Sequence, residues 1–386
     1  MSVSSKTDVI VKRILERRSS LSISDLVEGK IKPRELQSLL LKAYESITSC
    51  FSIKDILKQH KDSRFTQPCD ITQKELLGFD CAAYRVIPKE FESVELSPVN
   101  PLGVNKILAK IDQKNILSTI RNTEVNADAT TALSLECARR REKLLRGNSK
   151  SLEEVSLCTS HRSIRLQEFP KNSGFTSHFK IFAVCTAARD VGDEEFESRN
   201  LVKHIGFYLD LFKALNQRGY SVSEVSVFLS DVRITERIIE LLKIDRERLI
   251  KDNQINEFKP RFKPFECYNV AIPEKIACVE ELDRFVKEYK IEESVEFLKQ
   301  IQDKAINKLK VEYPKVNFEF NQHRVNGIGY YENLCFSVKA KNKRGIEFSL
   351  VDGGSTNWTQ KILCNEKERL FISGIGSELF CRNFKE

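Results

Sequence analysis

No run in this chain approaches eighteen consecutive apolar residues, so the sequence holds no candidate for a membrane-spanning helix. The opening residues, Met1 to Asp8, carry no apolar core of a secretory signal, which points to a cytoplasmic protein. The eleven cysteines are odd in number and form no Cys-x-x-Cys pair. That argues against a disulfide framework or a zinc ribbon and for reduced, mostly buried thiols. Charge of one sign is scarce as well: Lys+Arg 63 against Asp+Glu 55 leaves a net +8. Such an excess permits contact with nucleic acid, and charges spread over solvated helix faces account for it equally. What is present is ordinary for a soluble globular chain: 386 residues, 41% hydrophobic and 31% charged, enough for one or two domains with a large core.

The most informative stretch is C-terminal, from Val325 to Arg382. Leu334, Phe336 and Val338 alternate with small or polar residues, and so do Ile346, Phe348 and Leu350, the period of half-buried strands. The short polar loop Lys341–Gly345 joins them as an antiparallel hairpin. Gly353 and Gly354, then Gly374 and Gly376, bring backbone close to whatever lies over the sheet. A terminal helix is expected from Ser377.

Upstream, residues 1–63 have helical periodicity. Val9, Ile10, Ile14 and Leu15 mark one helix, and Ser22–Asp25 offers a cap before Leu26 and Val27. Pro33 opens another through Tyr44, and Ile53–Gln59 is a third. This segment is either an RNA-touching appendage or an extension packed on the core or on a partner subunit. From Gly78 the composition shifts, with short strands and turns expected over 84–103. Asn115–Arg121 is a strand candidate. Asp128, Thr130 and Thr131 form a cap cluster opening a long helix, whose far end carries a basic patch, Arg139–Arg141 with Arg146. Residues 147–160 read as a linker. Two strands, Ser163–Pro170 and Phe175–Val184, flank a polar turn at Lys171–Gly174. A helix over Asp193–Gln217 and a buried strand Ser223–Asp231 follow, then amphipathic helices over Arg237–Arg248 and Val279–Lys310.

Four pieces in order resemble the end of a class II aminoacyl-tRNA synthetase core of the histidyl type. They are Gly327–Tyr331, the hairpin, Asp352–Gly354 and Gly374–Glu378. In that family the corresponding runs are Arg-Gly-Leu-Asp-Tyr-Tyr, hairpin, Gly-Gly-Arg-Tyr-Asp and a Gly-x-Gly-x-Glu-Arg segment. The strand pair around Arg165 is similar to the family's motif 2, and Asp128-Ala-Thr-Thr-Ala132 to its Pro-Glu-Gly-Thr-Ala. Motif 1 is placed at Pro98. The departures are specific. Asn326 stands at the family's substrate-contacting Arg, Gly329 at its Asp, Ser355, Thr356 and Asn357 at its Arg-Tyr-Asp, and Leu379 at the motif 3 Arg that grips the ATP tail.

The resemblance implies an α+β fold: a class II synthetase-type antiparallel β-sheet flanked by helices. It also implies a helical N-terminal extension (1–77), a core over 78–386 and a helical insertion over about 236–312, with no anticodon-binding domain following. It implies ATP and Mg²⁺ as cofactors and no metal ligands on the protein. Arg165 would hold the α-phosphate, where a planar guanidinium offsets the charge that carboxylate attack builds. Glu378 would lie near the metal or the adenine. Asp128, beside Thr130, would receive an ammonium group. Gln167 or Glu168 would supply motif 2's acid, and His178 and Phe182 its returning strand. Asn326, Tyr330, Tyr331 and Glu332 would line the substrate side, over Gly353, Gly354, Gly374 and Gly376. Arg382 and Arg324 are candidates to replace the missing motif 3 Arg. On bare residues, Asp128 is equally a helix cap and Arg165 equally one half of a surface ion pair.

Three functions follow. One is a divergent ligase that forms an aminoacyl-adenylate for transfer to a tRNA or other acceptor, without being a histidyl-tRNA synthetase. The second is a catalytically silent paralogue acting on an enzyme partner, like the ATP phosphoribosyltransferase regulatory subunit. The third is an RNA-binding protein. A homodimer is implied by the resemblance alone.

Overall fold

The computed structural model describes residues 6–17, 24–25, 28–168, 176–256 and 262–385. The cap expected at Ser22–Asp25 before Leu26 and the turn at Lys171–Gly174 fall wholly or mostly outside them. Four N-terminal helices come first: α1 (Lys6–Arg17), α2 (Pro33–Ser49), α3 (Ile53–Asp62) and α4 (Gln73–Val86). Pro33 occupies the first turn of α2, and Ser52 and Thr72 each close a capping box, with Asp55 and Glu75 reaching back. Neither α2 nor α3 buries a residue, whereas α4 places Leu76, Phe79, Ala82 and Ala83 in the main core. Helix α4 runs straight through positions 77 and 78, so Tyr84–Val86, expected as extended, finishes a helix.

Strands β1 (Glu92–Ser93), β2 (Val99–Pro101) and β3 (Thr123–Val125) are short. Asn115–Arg121 is not a strand: Asn115 ends one turn of 3₁₀ helix, and Asn122 takes a left-handed φ of 56° that turns the chain into β3. The expected linker over 147–160 is shorter, because β4 starts at Val155 and runs to Ile164. Both faces of β4 are covered, so its sequence shows no alternation to betray it. Strand β5 is His178–Arg189 and β6 is Ser223–Asp231. Next come β7 (Lys275–Ile276), β8 (Asn317–Asn321), β9 (Leu334–Lys341), β10 (Glu347–Thr356) and β11 (Glu368–Gly376).

Nine of these form one sheet in the order β1-β4-β5-β11-β10-β9-β6-β8-β7. All pairings are antiparallel except β1 with β4 and β6 with β8. The two faces of this sheet differ. Alternate residues Ala183, Cys185, Ala187, Leu370 and Ile372 pack with Ala129, Leu133 and Cys137 of helix α5 (Ala129–Gly147); this is the front. Phe182, Val184, Phe371 and Ile375 face the back. There they meet α4, α6 (Glu195–Asn216) and the terminal helix (Ser377–Phe384). The expected insertion helices are present but broken. Arg237–Arg248 is divided between α7 (Val232–Leu241) and α8 (Arg246–Asn256), with Lys243 at φ 51° between them. Within 279–310, a 3₁₀ turn precedes α9 (Glu292–Ile301) and α10 (Asn307–Glu312).

The expected basic patch at the end of α5 is not one. Arg141 is fully buried and bonds Glu368 through Nε (2.8 Å) and Nη2 (2.9 Å), while Arg139 and Arg140 are taken by Glu136. Carboxylates on the same helix and on β11 have neutralised it.

Candidate functional site

Helix α5 begins on the front face because Asp128 caps it, accepting from the Thr130 backbone N–H at 3.0 Å. The same carboxylate then gathers three side chains. Thr130 Oγ1 donates to Oδ1 at 2.7 Å, Tyr330 Oη to Oδ2 at 3.1 Å, and Arg165 Nη2 to Oδ2 at 3.2 Å. Arg165 is anchored from the other side, Nε donating to the Ala127 carbonyl at 2.9 Å, and its guanidinium lies over the Phe179 ring at 5.5 Å. It stands just beyond the end of β4, which stops at Ile164, whereas the strand expected over Ser163–Pro170 would have held it inside. Burial, with the Asp128 carboxylate beside it, holds the Tyr330 phenol well above its usual range, so it remains a donor.

A second cluster lies one strand over. Asp352 pairs across the ladder with Gly374, and an added β-carbon on Gly374 would come within 4.0 Å of Thr130. Gly374 is thus the bare floor between Asp128 and Asp352. Asp352 accepts from Arg324 Nη2 at 2.7 and 2.9 Å and from the Tyr331 hydroxyl. Arg324 also donates to the Asn326 carbonyl at 2.8 Å, and Asn253 to Asn326 Oδ1 at 2.6 Å. Arg324 is therefore a scaffold for Asp352. Asp352 was legible only as part of a glycine motif; its position opposite Gly374 in the register is what makes it a site residue.

The expected residues divide sharply. Asp128, Thr130, Arg165, Tyr330 and Gly374 converge on the front, with Tyr331 tied to the Asp352 half. Gly353 and Gly354 do not open to a ligand: a β-carbon on Gly354 would meet Leu334 O at 2.4 Å and Tyr331 at 2.8 Å, and one on Gly353 would meet Ser373 at 2.5 Å. Their role is close strand packing. Gly376 is partly open, beside Leu379. Asn326 and Glu332 are exposed, the latter bonded by its backbone N–H to Ser355 O.

Glu378 and His178 lie away from this cluster. Glu378 is buried and ion-paired with Arg162. His178 bonds Arg162 and the Gln67 carbonyl, and Phe182, which the motif pairs with it, is core packed on Phe207. Gln167 contributes its carbonyl to Arg64. Arg382, a candidate for the missing phosphate contact, is bidentate on Asp70 at 3.0 and 2.5 Å. Among the described residues no group of three metal-ligating side chains converges, and no helix is long and apolar enough to cross a membrane.

No family model matches the sequence, and no curated protein matches it. Solved structures do. An ATP phosphoribosyltransferase regulatory subunit/histidyl-tRNA synthetase from Bacillus halodurans superposes with a TM-score of 0.59 at 14% identity, over 83% of each chain. The histidyl-tRNA synthetase of a Nostoc species matches with 0.59 at 14%, over 83% of this chain and 74% of that one. A histidine–tRNA ligase subunit from Alicyclobacillus acidocaldarius gives 0.58 at 11%, over 82% and 95%. At such identities the likeness speaks for the backbone, and the nine-stranded sheet agrees with it: the chain carries the class II aminoacyl-tRNA synthetase fold of the histidyl type.

Proposed function

We propose that this chain is a non-adenylating protein of synthetase type that binds a small amine-bearing ligand, an amino acid, on its front face and acts on a protein partner. The observation that carries the reading is the state of Asp128: a front-face carboxylate oriented by Thr130, Tyr330 and Arg165. An ammonium group needs an oriented carboxylate of this kind. A triphosphate needs several cations, and here Leu379 carries no charge and Arg382 is committed to Asp70, which leaves Arg165 as the one cation of this set on the front face. Glu378, turned to Arg162 and buried, offers little to Mg²⁺. ATP with Mg²⁺ is thus the ligand this residue set fits least. Loss of one such preorganised contact costs roughly 3–4 kcal/mol of transition-state stabilisation.

The relative named as a regulatory subunit supports an enzyme partner, and the reading takes the protein as a cytoplasmic homodimer. Titration calorimetry across the standard L-amino acids, run beside pyrophosphate exchange with ATP, tests it. One amino acid should bind, Asp128→Asn should abolish that binding, and no exchange should occur. Exchange with any amino acid returns the protein to the adenylate-forming ligases, for which Arg165 over Phe179 is the surviving argument. Failure of every amino acid to bind removes the ligand assignment.

A further inference from the structure

The guanidinium groups that do not reach the front site gather elsewhere. The segment 64–70, which joins α3 to α4, lies as a strap across the outer ends of three elements: β4, β5 and the terminal helix. Arg64 donates to the carbonyls of Leu166 (2.6 Å) and Gln167 (3.3 Å), directly after Arg165. His178 Nε2 meets the Gln67 carbonyl at 2.7 Å, and Asp70 takes Arg382. Between strap and sheet is a cavity of about 350 Å³ lined by Arg64, Gln67, Cys69, Asp70, His178 and Arg382, with Thr176 at its wall. That volume is at the small end of ligand pockets.

Its chemistry is lopsided. Arg162 Nη1 lies 2.8 Å from His178 Nδ1, and since arginine can only donate, Nδ1 is the acceptor and Nε2 carries the hydrogen. The His178 N–H therefore points at the strap. Two guanidinium groups and an imidazole N–H line the same space, against one lining carboxylate, that of Asp70. Asp70 is exposed and belongs to the strap, so it is a tethered anion in the place where a free one would sit.

We propose that this cavity is a binding site for a small oxyanion, a phosphate or phosphate monoester. The anion bridges Arg64 and Arg382, displaces the Asp70 carboxylate, and takes the His178 Nε2 hydrogen over from the Gln67 carbonyl. The site lies behind the sheet edge and is independent of the amino-acid reading of the front face. Because the strap leads directly into α3, occupancy would reset the anchoring of the N-terminal helices.

Calorimetric titration of the full chain with inorganic phosphate, and separately with glycerol phosphate, tests this at low ionic strength. Saturable one-site binding is expected, weakened about tenfold or more by Arg64→Ala and by Arg382→Ala, as removal of a charge-assisted contact requires. Asp70→Asn should tighten it by about threefold or more, since the internal competitor is gone. Asp128→Asn should leave it unchanged. Tighter binding of the ester than of phosphate names a phosphorylated metabolite as the ligand; the reverse names the free ion. Arg64 is exposed, so its variant should keep the native melting profile and stays informative even where Arg382→Ala unfolds. Absence of saturable binding to both probes overturns the proposal. So does binding that Arg64→Ala leaves intact, or binding that Asp128→Asn abolishes.

Discussion

Helix α5 makes an arginine–carboxylate pair at each end, and the two pairs could hardly differ more. At its C-terminal end Arg141 and Glu368 are fully buried and bidentate, with the remaining arginine hydrogens spent on the Glu153 and Ser151 carbonyls. At its N-terminal end Arg165 reaches Asp128 with a single contact at 3.2 Å and keeps more than a quarter of its side chain open. Burial with every donor matched makes the first pair a fixed strut whose disruption strands a charge. The second is near water and incompletely matched, which is what a site that must exchange partners requires. A third pair lies between them in character. Glu197 is buried, yet its nearest cation, Arg369, stands 3.7 Å away and is bonded to Asp190 instead.

The largest effect expected from breaking this comparison is at the strut. Glu368→Ala should destabilise the protein by about 3–5 kcal/mol in chemical denaturation, because Arg141 is left buried without its counter-ion. A smaller loss would mean that water enters the α5 end and that the pair is not closed.

The third pair should show itself through pH. Burial raises the Glu197 carboxyl to about 7, winning over the distant Arg369. The unfolded chain ionises near the ordinary carboxyl value and the folded one only near 7, so stability is full below the first and falls as pH rises through that window. Glu197→Gln should abolish this fall and be more stable than the native chain at pH 8 by up to about 3 kcal/mol, with no difference at pH 4. Parallel melting curves at the two pH values decide it.

The glycines sharpen the contrast between closed and open halves of the front face. Gly354→Ala should cost about 2 kcal/mol, because the new methyl meets a backbone carbonyl that cannot move aside. Gly374→Ala meets the Cγ2 methyl of Ile181 at 3.1 Å, with Phe182 O and Thr130 at ordinary contact distances, and should cost well under the Gly354 change while weakening ligand binding. Equal destabilisation of both would erase the distinction. Smallest in stability is Asp128→Asn: asparagine caps a helix as well as aspartate, so a change within about 0.5 kcal/mol is expected, with amino-acid binding lost. A large destabilisation would make Asp128 a structural residue like Glu368.

How much of this was readable in advance follows from the range of each interaction. The hairpin at Leu334–Gly354, the strand Ser223–Asp231 and the α5 cap at Asp128 are local patterns, and all three appear where the periodicity places them. Strand β4 was missed over its first eight residues because a strand covered on both faces does not alternate. His178 was expected at the substrate site from its place on motif 2's returning strand, yet its side chain lies on the back face with Phe182, because alternate residues of β5 face opposite sides of the sheet. Arg139–Arg141 read as a patch because a charge run in sequence says nothing of the acids that fold against it.

The sequence by itself determined the C-terminal hairpin, the strand Ser223–Asp231, the cap at Asp128 and the glycine-marked end of the core, because these depend on residues close along the chain. Only the tertiary structure decided which arginines are struts, which are free and which are diverted to the strap. An ion's role depends on its burial and its partners, and those partners lie tens to hundreds of residues away: 37 separate Arg165 from Asp128, 227 separate Arg141 from Glu368, and 312 separate Arg382 from Asp70.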